Sequence, residues 1–118
     1  MDFIVPLTGM RTRVKICGIT RPEDGRAAAQ AGADAIGLVF YANSPRYVAL
    51  QQAQAICRAL PPFVSVVALF VNARREQVTE VLNAIPVDLL QFHGNEQAEQ
   101  CVSFGRPYIK AIGMREGT

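Results

Sequence analysis

The chain has no tryptophan and only one histidine, His93, in 118 residues. A single imidazole excludes a histidine-rich metal centre, and no cysteine stands near it in sequence to complete a zinc set. Cysteine is scarce as well. Cys17, Cys57 and Cys101 are odd in number, share no C-x-x-C spacing and lie inside apolar segments, which argues against a disulfide framework and for three reduced thiols. No charge of one sign dominates: 12 basic residues face 10 acidic ones, and the basic residues are scattered, so nucleic acid is not an expected partner. Long hydrophobic runs are missing too. The longest, Phe63 to Val71, is broken by Ser65 and is about half a membrane span. Phe3 to Leu7 has no basic flank and is too short for a signal-peptide core, so no membrane association and a cytoplasmic location are expected.

What is present is one repeated pattern: a short β-branched run, a polar turn, then apolar residues at helical spacing. Val14 to Ile19 is the first predicted strand, followed by a helix opened by a Thr20/Glu23 capping box and ended at Gly32. Ala35 to Phe40 is the second strand. The next helix places Ala53, Ile56, Cys57 and Leu60 on one face and stops at Pro61-Pro62. Ser65 to Val71 is the third strand, and Asn72 is the expected cap of a helix burying Val78, Val81, Leu82 and Ile85. Leu89 to Phe92 is the fourth, followed by a turn at His93-Gly94 and a helix capped by Asn95 with Ala98, Cys101 and Val102 inward. Pro107 to Ile112 is the fifth.

Four β-α units plus a fifth strand, joined by short loops, imply parallel strands with right-handed crossovers. Either an open doubly wound sheet or a slice of an eight-stranded β/α barrel satisfies this. The turn after strand one, Cys17-Gly18-Ile19-Thr20-Arg21-Pro22, matches neither the dinucleotide fingerprint nor the P-loop. A complete barrel takes about 200 to 250 residues, so on the barrel reading the chain is one part of a larger assembly with open sheet edges.

In such a barrel, chemistry sits at the carboxyl ends of the strands on inward-pointing side chains. Period two puts Lys15 and Cys17 on one face of strand one, with Val14 and Ile16 toward the helices. An ammonium beside a cysteine favours thiolate over thiol and makes a usable base; the alternative is a small buried residue beside a lysine that reaches out to water. Gln91 and His93 share a face on strand four, where His93 either meets substrate or caps its own turn. Arg46, after Pro45 in the loop following strand two, suits a carboxylate or phosphate, or is simply solvated. Asp34 and Asp88 precede strands two and four and therefore belong to the opposite end, Glu23 is taken up by capping, and no carboxylate is placed to act as acid beside Cys17.

Lys15-Ile16-Cys17-Gly18-Ile19-Thr20, Glu23-Asp24 and Gly32 to Phe40 together resemble phosphoribosylanthranilate isomerase. So do Ser44-Pro45-Arg46-Tyr47-Val48, Val67 to Asn72, Leu90-Gln91-Phe92-His93-Gly94 and Ile109-Lys110-Ala111-Ile112, in the same order and at similar spacing. The resemblance implies a parallel (β/α)8 TIM barrel, present here as about four β/α units and a fifth strand. It also implies an Amadori rearrangement of N-(5-phosphoribosyl)anthranilate in tryptophan biosynthesis, without metal or cofactor. It makes Cys17 the general base, Arg46 the holder of the anthranilate carboxylate, His93 a substrate-site histidine, and Lys15 an electrostatic support of Cys17. The family's general acid, at the end of strand six, and its phosphate site, after strands seven and eight, lie beyond this sequence. The chain is accordingly expected to be the amino-terminal part of one domain over residues 10–118, with residues 1–9 a non-native or disordered leader. Alone it is expected to be poorly active, and to self-associate or pair with a carboxyl-terminal half.

Overall fold

The computed structural model describes residues 12–111, so the expected leader over residues 1–9 lies outside the described residues, as does the end of the fifth predicted strand at Ile112. Five parallel strands form one sheet in the order of the chain: β1 (Lys15–Cys17), β2 (Ala35–Val39), β3 (Ser65–Phe70), β4 (Leu89–Phe92) and β5 (Tyr108–Lys110). Between them run α1 (Pro22–Gln30), α2 (Leu50–Ala59), α3 (Arg75–Ala84) and α4 (Ala98–Val102). The unchanging sequential order, with no reversal of direction, is that of a barrel wall; a doubly wound sheet reverses its strand order at a switch point. Among the described residues β1 pairs only with β2 and β5 only with β4, so the wall is open.

The two faces differ as period two requires. Ile36, Leu38, Val66, Ala68, Phe70, Leu90 and Phe92 point to the helices and form the core with Ala53, Ile56, Val78, Val81 and Cys101. Phe70 stands between Phe40 and Phe92 with ring centroids 5.6 and 6.3 Å away, and Tyr108 closes the row edge-on to Phe92 at 6.2 Å. Each such pair adds about 0.5–1.5 kcal/mol to what burial contributes. Val14 and Ile16, expected against helices, are 44% and 40% exposed because β1 is an edge.

Asp34 and Asp88 work at the amino ends. The Oδ2 of Asp34 accepts from the Val14 amide at 2.8 Å, and that of Asp88 from the Val66 amide at 2.8 Å, so each ties the start of one strand to its neighbour.

Three expected caps are corrected. At α1 the cap position is Arg21, without a side-chain cap; the Thr20 carbonyl accepts from the Gln52 side chain, and Glu23 lies 4.0 Å from the Arg21 guanidinium. Helix α3 begins at Arg75, because Asn72 adopts a left-handed φ of 51° and gives its Oδ1 to the Asn95 amide at 2.7 Å. Asn95 is thereby used as a donor, and the cap of α4 is a Gln97/Gln100 box. Of the residues expected inward on α4, Cys101 is buried, whereas Ala98 and Val102 are exposed.

Candidate active site

Cys17 ends β1, His93 follows β4 and Arg46 lies in the loop after β2, whereas Lys15 opens β1 and its side chain reaches Gln91 near the end of β4. Lys15 and Cys17 leave β1 on the face away from the helical core. Cys17 has room because its neighbour in register is Gly37: a Cβ there would lie 2.9 Å from the Cys17 sulfur and 3.2 Å from its Cα. The chain then turns at Gly18, whose φ of 85° disfavours any side chain. Arg46 lies across that bare backbone; a Cβ on Gly18 would come within 2.5 Å of its side chain, and its Nη1 donates to the Cys17 carbonyl at 3.3 Å. The loop that delivers Arg46 is pinned by the Arg46 amide donating to Ser44 Oγ at 3.0 Å and the Val48 amide donating to the Val39 carbonyl at 3.0 Å.

Strand β4 brings the other half. The Lys15 ammonium donates to Oε1 of Gln91, and the Gln91 Nε2 stands 2.7 Å from Nε2 of His93. Burial, then the ammonium of Lys15, lower the pKa of His93 from its ordinary value, more than the nearby Glu96 carboxylate raises it. The imidazole is therefore neutral near pH 7. Lys15 is thus engaged with Gln91, seventy-six residues away. The arrangement joins Lys15 to His93 through Gln91, and Arg46 to the Cys17 carbonyl across Gly18.

Glu96 gave no signal in the sequence. Its side chain is 4% exposed. Its Oε2 accepts from the Asn72 amide at 2.7 Å, and its Oε1 from the Gly94 amide at 2.9 Å and from Lys110 Nζ at 3.3 Å. It locks the loop after β3 to the turn that follows His93, and it is not available as an acid. Among the described residues no three histidine, cysteine or acidic side chains gather where they could hold a metal ion, and no helix is long and apolar enough to cross a membrane.

Below this cluster the concave face continues as a cavity of about 450 Å³ toward the amino ends, lined by Val14, Lys15, Ser65, Val67, Leu89 and Ile109. Fold and site together define a β/α-barrel wall with its polar groups at the carboxyl ends of the strands, the arrangement of barrel enzymes. Residues 14–117 match the family model for N-(5'-phosphoribosyl)anthranilate (PRA) isomerase, and the chain belongs to that family. It is 64% identical over 105 residues to N-(5'-phosphoribosyl)anthranilate isomerase of Pseudomonas paraeruginosa, covering 89% of this chain and 50% of that protein. To its counterpart in Alcanivorax borkumensis it is 65% identical over 104 residues, covering 88% and 48%. The crystal structure of phosphoribosylanthranilate isomerase from Thermotoga maritima superposes with a TM-score of 0.83 at 42% identity over 88% of this chain and 52% of that one. A phosphoribosylanthranilate isomerase in complex with reduced 1-(o-carboxyphenylamino)-1-deoxyribulose 5-phosphate superposes with a TM-score of 0.84 at 40% identity, over 91% and 56%. The chain spans about half the length of the curated relatives it matches.

Proposed function

We propose that this chain forms one wall of a phosphoribosylanthranilate isomerase and supplies its general base and its grip on the anthranilate group. The observation that carries the reading is the convergence of Cys17, Arg46 and the Lys15–Gln91–His93 chain on one end of one concave face. In the reaction an acid protonates the furanose ring oxygen, and the sugar opens to a Schiff base. A base removes the proton on C2, and the enolamine formed takes a proton at C1 while its C2 hydroxyl becomes the ketone. Cys17, at the end of β1 beside the bare Gly37, is the residue on this wall for the C2 proton. The exposed Arg46 fork suits the anthranilate carboxylate, and neutral His93 suits a substrate hydroxyl. No metal or cofactor enters these steps. The acid and the phosphate-binding loops belong to the second half of the barrel.

Turnover of freshly made phosphoribosylanthranilate, followed by loss of its fluorescence, tests the reading on the 118-residue chain with the carboxyl-terminal half of a relative added back. The chain alone is expected to be poorly active. Complementation is expected to restore turnover, and Cys17→Ser to lower it by about 10²- to 10⁴-fold. Equal turnover by the serine variant would sink the assignment of the base.

The open edges support a second reading, in which the wall self-associates without catalysis: Ile16 and Ile109 on the two edge strands are 40% and 46% exposed, and Val14 just before β1 is 44% exposed. Sedimentation at several concentrations separates the two, since a concentration-independent monomer excludes self-association.

A further inference from the structure

Gln91 occupies a position that the isomerase reading leaves without a role. Its amide has one acceptor and one donor end, and the partners on either side dictate which way it faces. An ammonium only donates, so Lys15 can be satisfied only by Oε1 of Gln91. The NH₂ end is thereby turned toward His93, whose Nε2 lies 2.7 Å away. Two donors cannot share that bond, so Nε2 must carry its lone pair and the ring proton must sit on Nδ1. We propose that Gln91 is a positioning residue, oriented by Lys15, that fixes His93 as the tautomer with its proton on Nδ1 and so directs an N–H, rather than a lone pair, away from the strand. The proposal rests on the substrate role given to His93 above and specifies what that residue offers: a hydrogen-bond donor to a substrate oxygen.

The surroundings of the ring, on balance, keep it neutral. Lys15 from β1 and Lys110 from β5 place two cations near it, Glu96 from the loop before α4 places one anion, and Gln91 adds an N–H from the ring's own strand. On its other side the His93 amide donates to the Phe70 carbonyl of β3 at 2.9 Å, which fixes the backbone from which the ring projects. Protonating Nε2 would set an N–H against the Gln91 NH₂ and force that amide to turn its donor end onto Lys15.

The test uses no turnover, so its failure would leave the isomerase reading standing, and a failure of that reading would leave the tautomer standing and remove only its substrate role. His93 is the only histidine of the chain, so ring-nitrogen NMR of the uniformly ¹⁵N-labelled 118-residue protein reports on it alone. The wild type is expected to show a protonated Nδ1, a bare Nε2 and a titration midpoint below the ordinary 6.5. Gln91→Glu presents an acceptor of the same shape in place of the donor. It should move the proton to Nε2 and raise the midpoint by about one unit or more. Lys15→Met frees the Gln91 amide to face either way and should give a mixture of the two tautomers. Backbone amide spectra recorded on each sample identify a variant that has lost the fold, and the wild-type tautomer is decisive without any variant. A wild-type ring with its proton on Nε2, or one that titrates as a free imidazole, overturns the proposal, as does a folded Gln91→Glu protein whose tautomer is unchanged.

Discussion

Glu96 offers the sharpest quantitative test of how this wall is held in shape. Replacing it with alanine leaves the Asn72 and Gly94 amides without their acceptor, at about 1–3 kcal/mol each. Lys110 loses its carboxylate but keeps the Gly94 carbonyl, and 29% of its side chain is exposed to water, leaving about 0–1 kcal/mol. The sum is about 4 kcal/mol. Glu96→Gln is gentler: the amide oxygen at the Oε1 position still accepts from Gly94 and Lys110, while its NH₂ faces the Asn72 amide, one lost bond of about 2 kcal/mol. Urea unfolding of the three proteins measures both. Its pH dependence separates the charge from the shape. Burial raises the Glu96 pKa, but the bonds from the Asn72 amide, its own amide, Lys110 and the Gly94 amide outweigh it and hold the carboxyl below its ordinary 4.5. A depressed carboxylate stabilises fully above its unfolded-state value and loses that contribution as pH falls through the folded one. The gap between wild type and Glu96→Gln should therefore be constant from pH 6 to 8 and close below about pH 4.5. A gap under about 0.5 kcal/mol at pH 7, or one indifferent to acid, would refute the assignment of Glu96 as the tie between the two loops.

Two further perturbations read the thiols. Gly37→Ala puts a methyl group 2.9 Å from the Cys17 sulfur and 3.2 Å from its Cα, so the thiol must swing aside; a loss of about 1–3 kcal/mol in urea and an altered alkylation rate at Cys17 alone, mapped by peptide mass, are expected, and an unchanged rate would count against the contact. Burial, then the Asp88 charge, push the Cys57 thiol up to about 11. Its alkylation should be about a thousandfold slower at pH 8 than that of a full thiolate and climb about tenfold per pH unit to pH 10, and labelling at pH 8 as fast as in the unfolded chain would contradict this burial.

Much of the wall was legible because parallel strands and amphipathic helices write their period into the chain. Leu89–Phe92 falls where the pattern predicts, and Ala53, Ile56, Val78 and Val81 are buried as expected. What local rules misassigned were the polar residues whose partners come from elsewhere. Thr20 looked like a cap, but its carbonyl is taken by Gln52, thirty-two residues on. Asn72 and Asn95 each looked like the start of a helix and instead bind each other across two loops. The same blindness hid Glu96, a glutamate in a short polar loop, until Asn72, Gly94 and Lys110 were seen converging on it. In the site, period two correctly paired Lys15 with Cys17 and Gln91 with His93, but which pair would meet which depended on the shape of the sheet.

That shape can be argued from one hydrogen bond. Strands β1 and β4 are separated by β2 and β3, three spacings of about 4.8 Å, so in a flat sheet their side chains would stand about 14 Å apart and parallel. The bond between Lys15 and Gln91 forms only if the sheet curls until the two strands face each other across a hollow. The intervening strands permit the crossing, since the residue beside Cys17 on β2 is Gly37, with no side chain to obstruct the hollow. The curl that makes the wall a segment of a barrel is thus the same geometry that unites the site: without it Lys15 would have no amide to orient and His93 no fixed tautomer. Any change that flattens the sheet, even far from β4, should reach the imidazole.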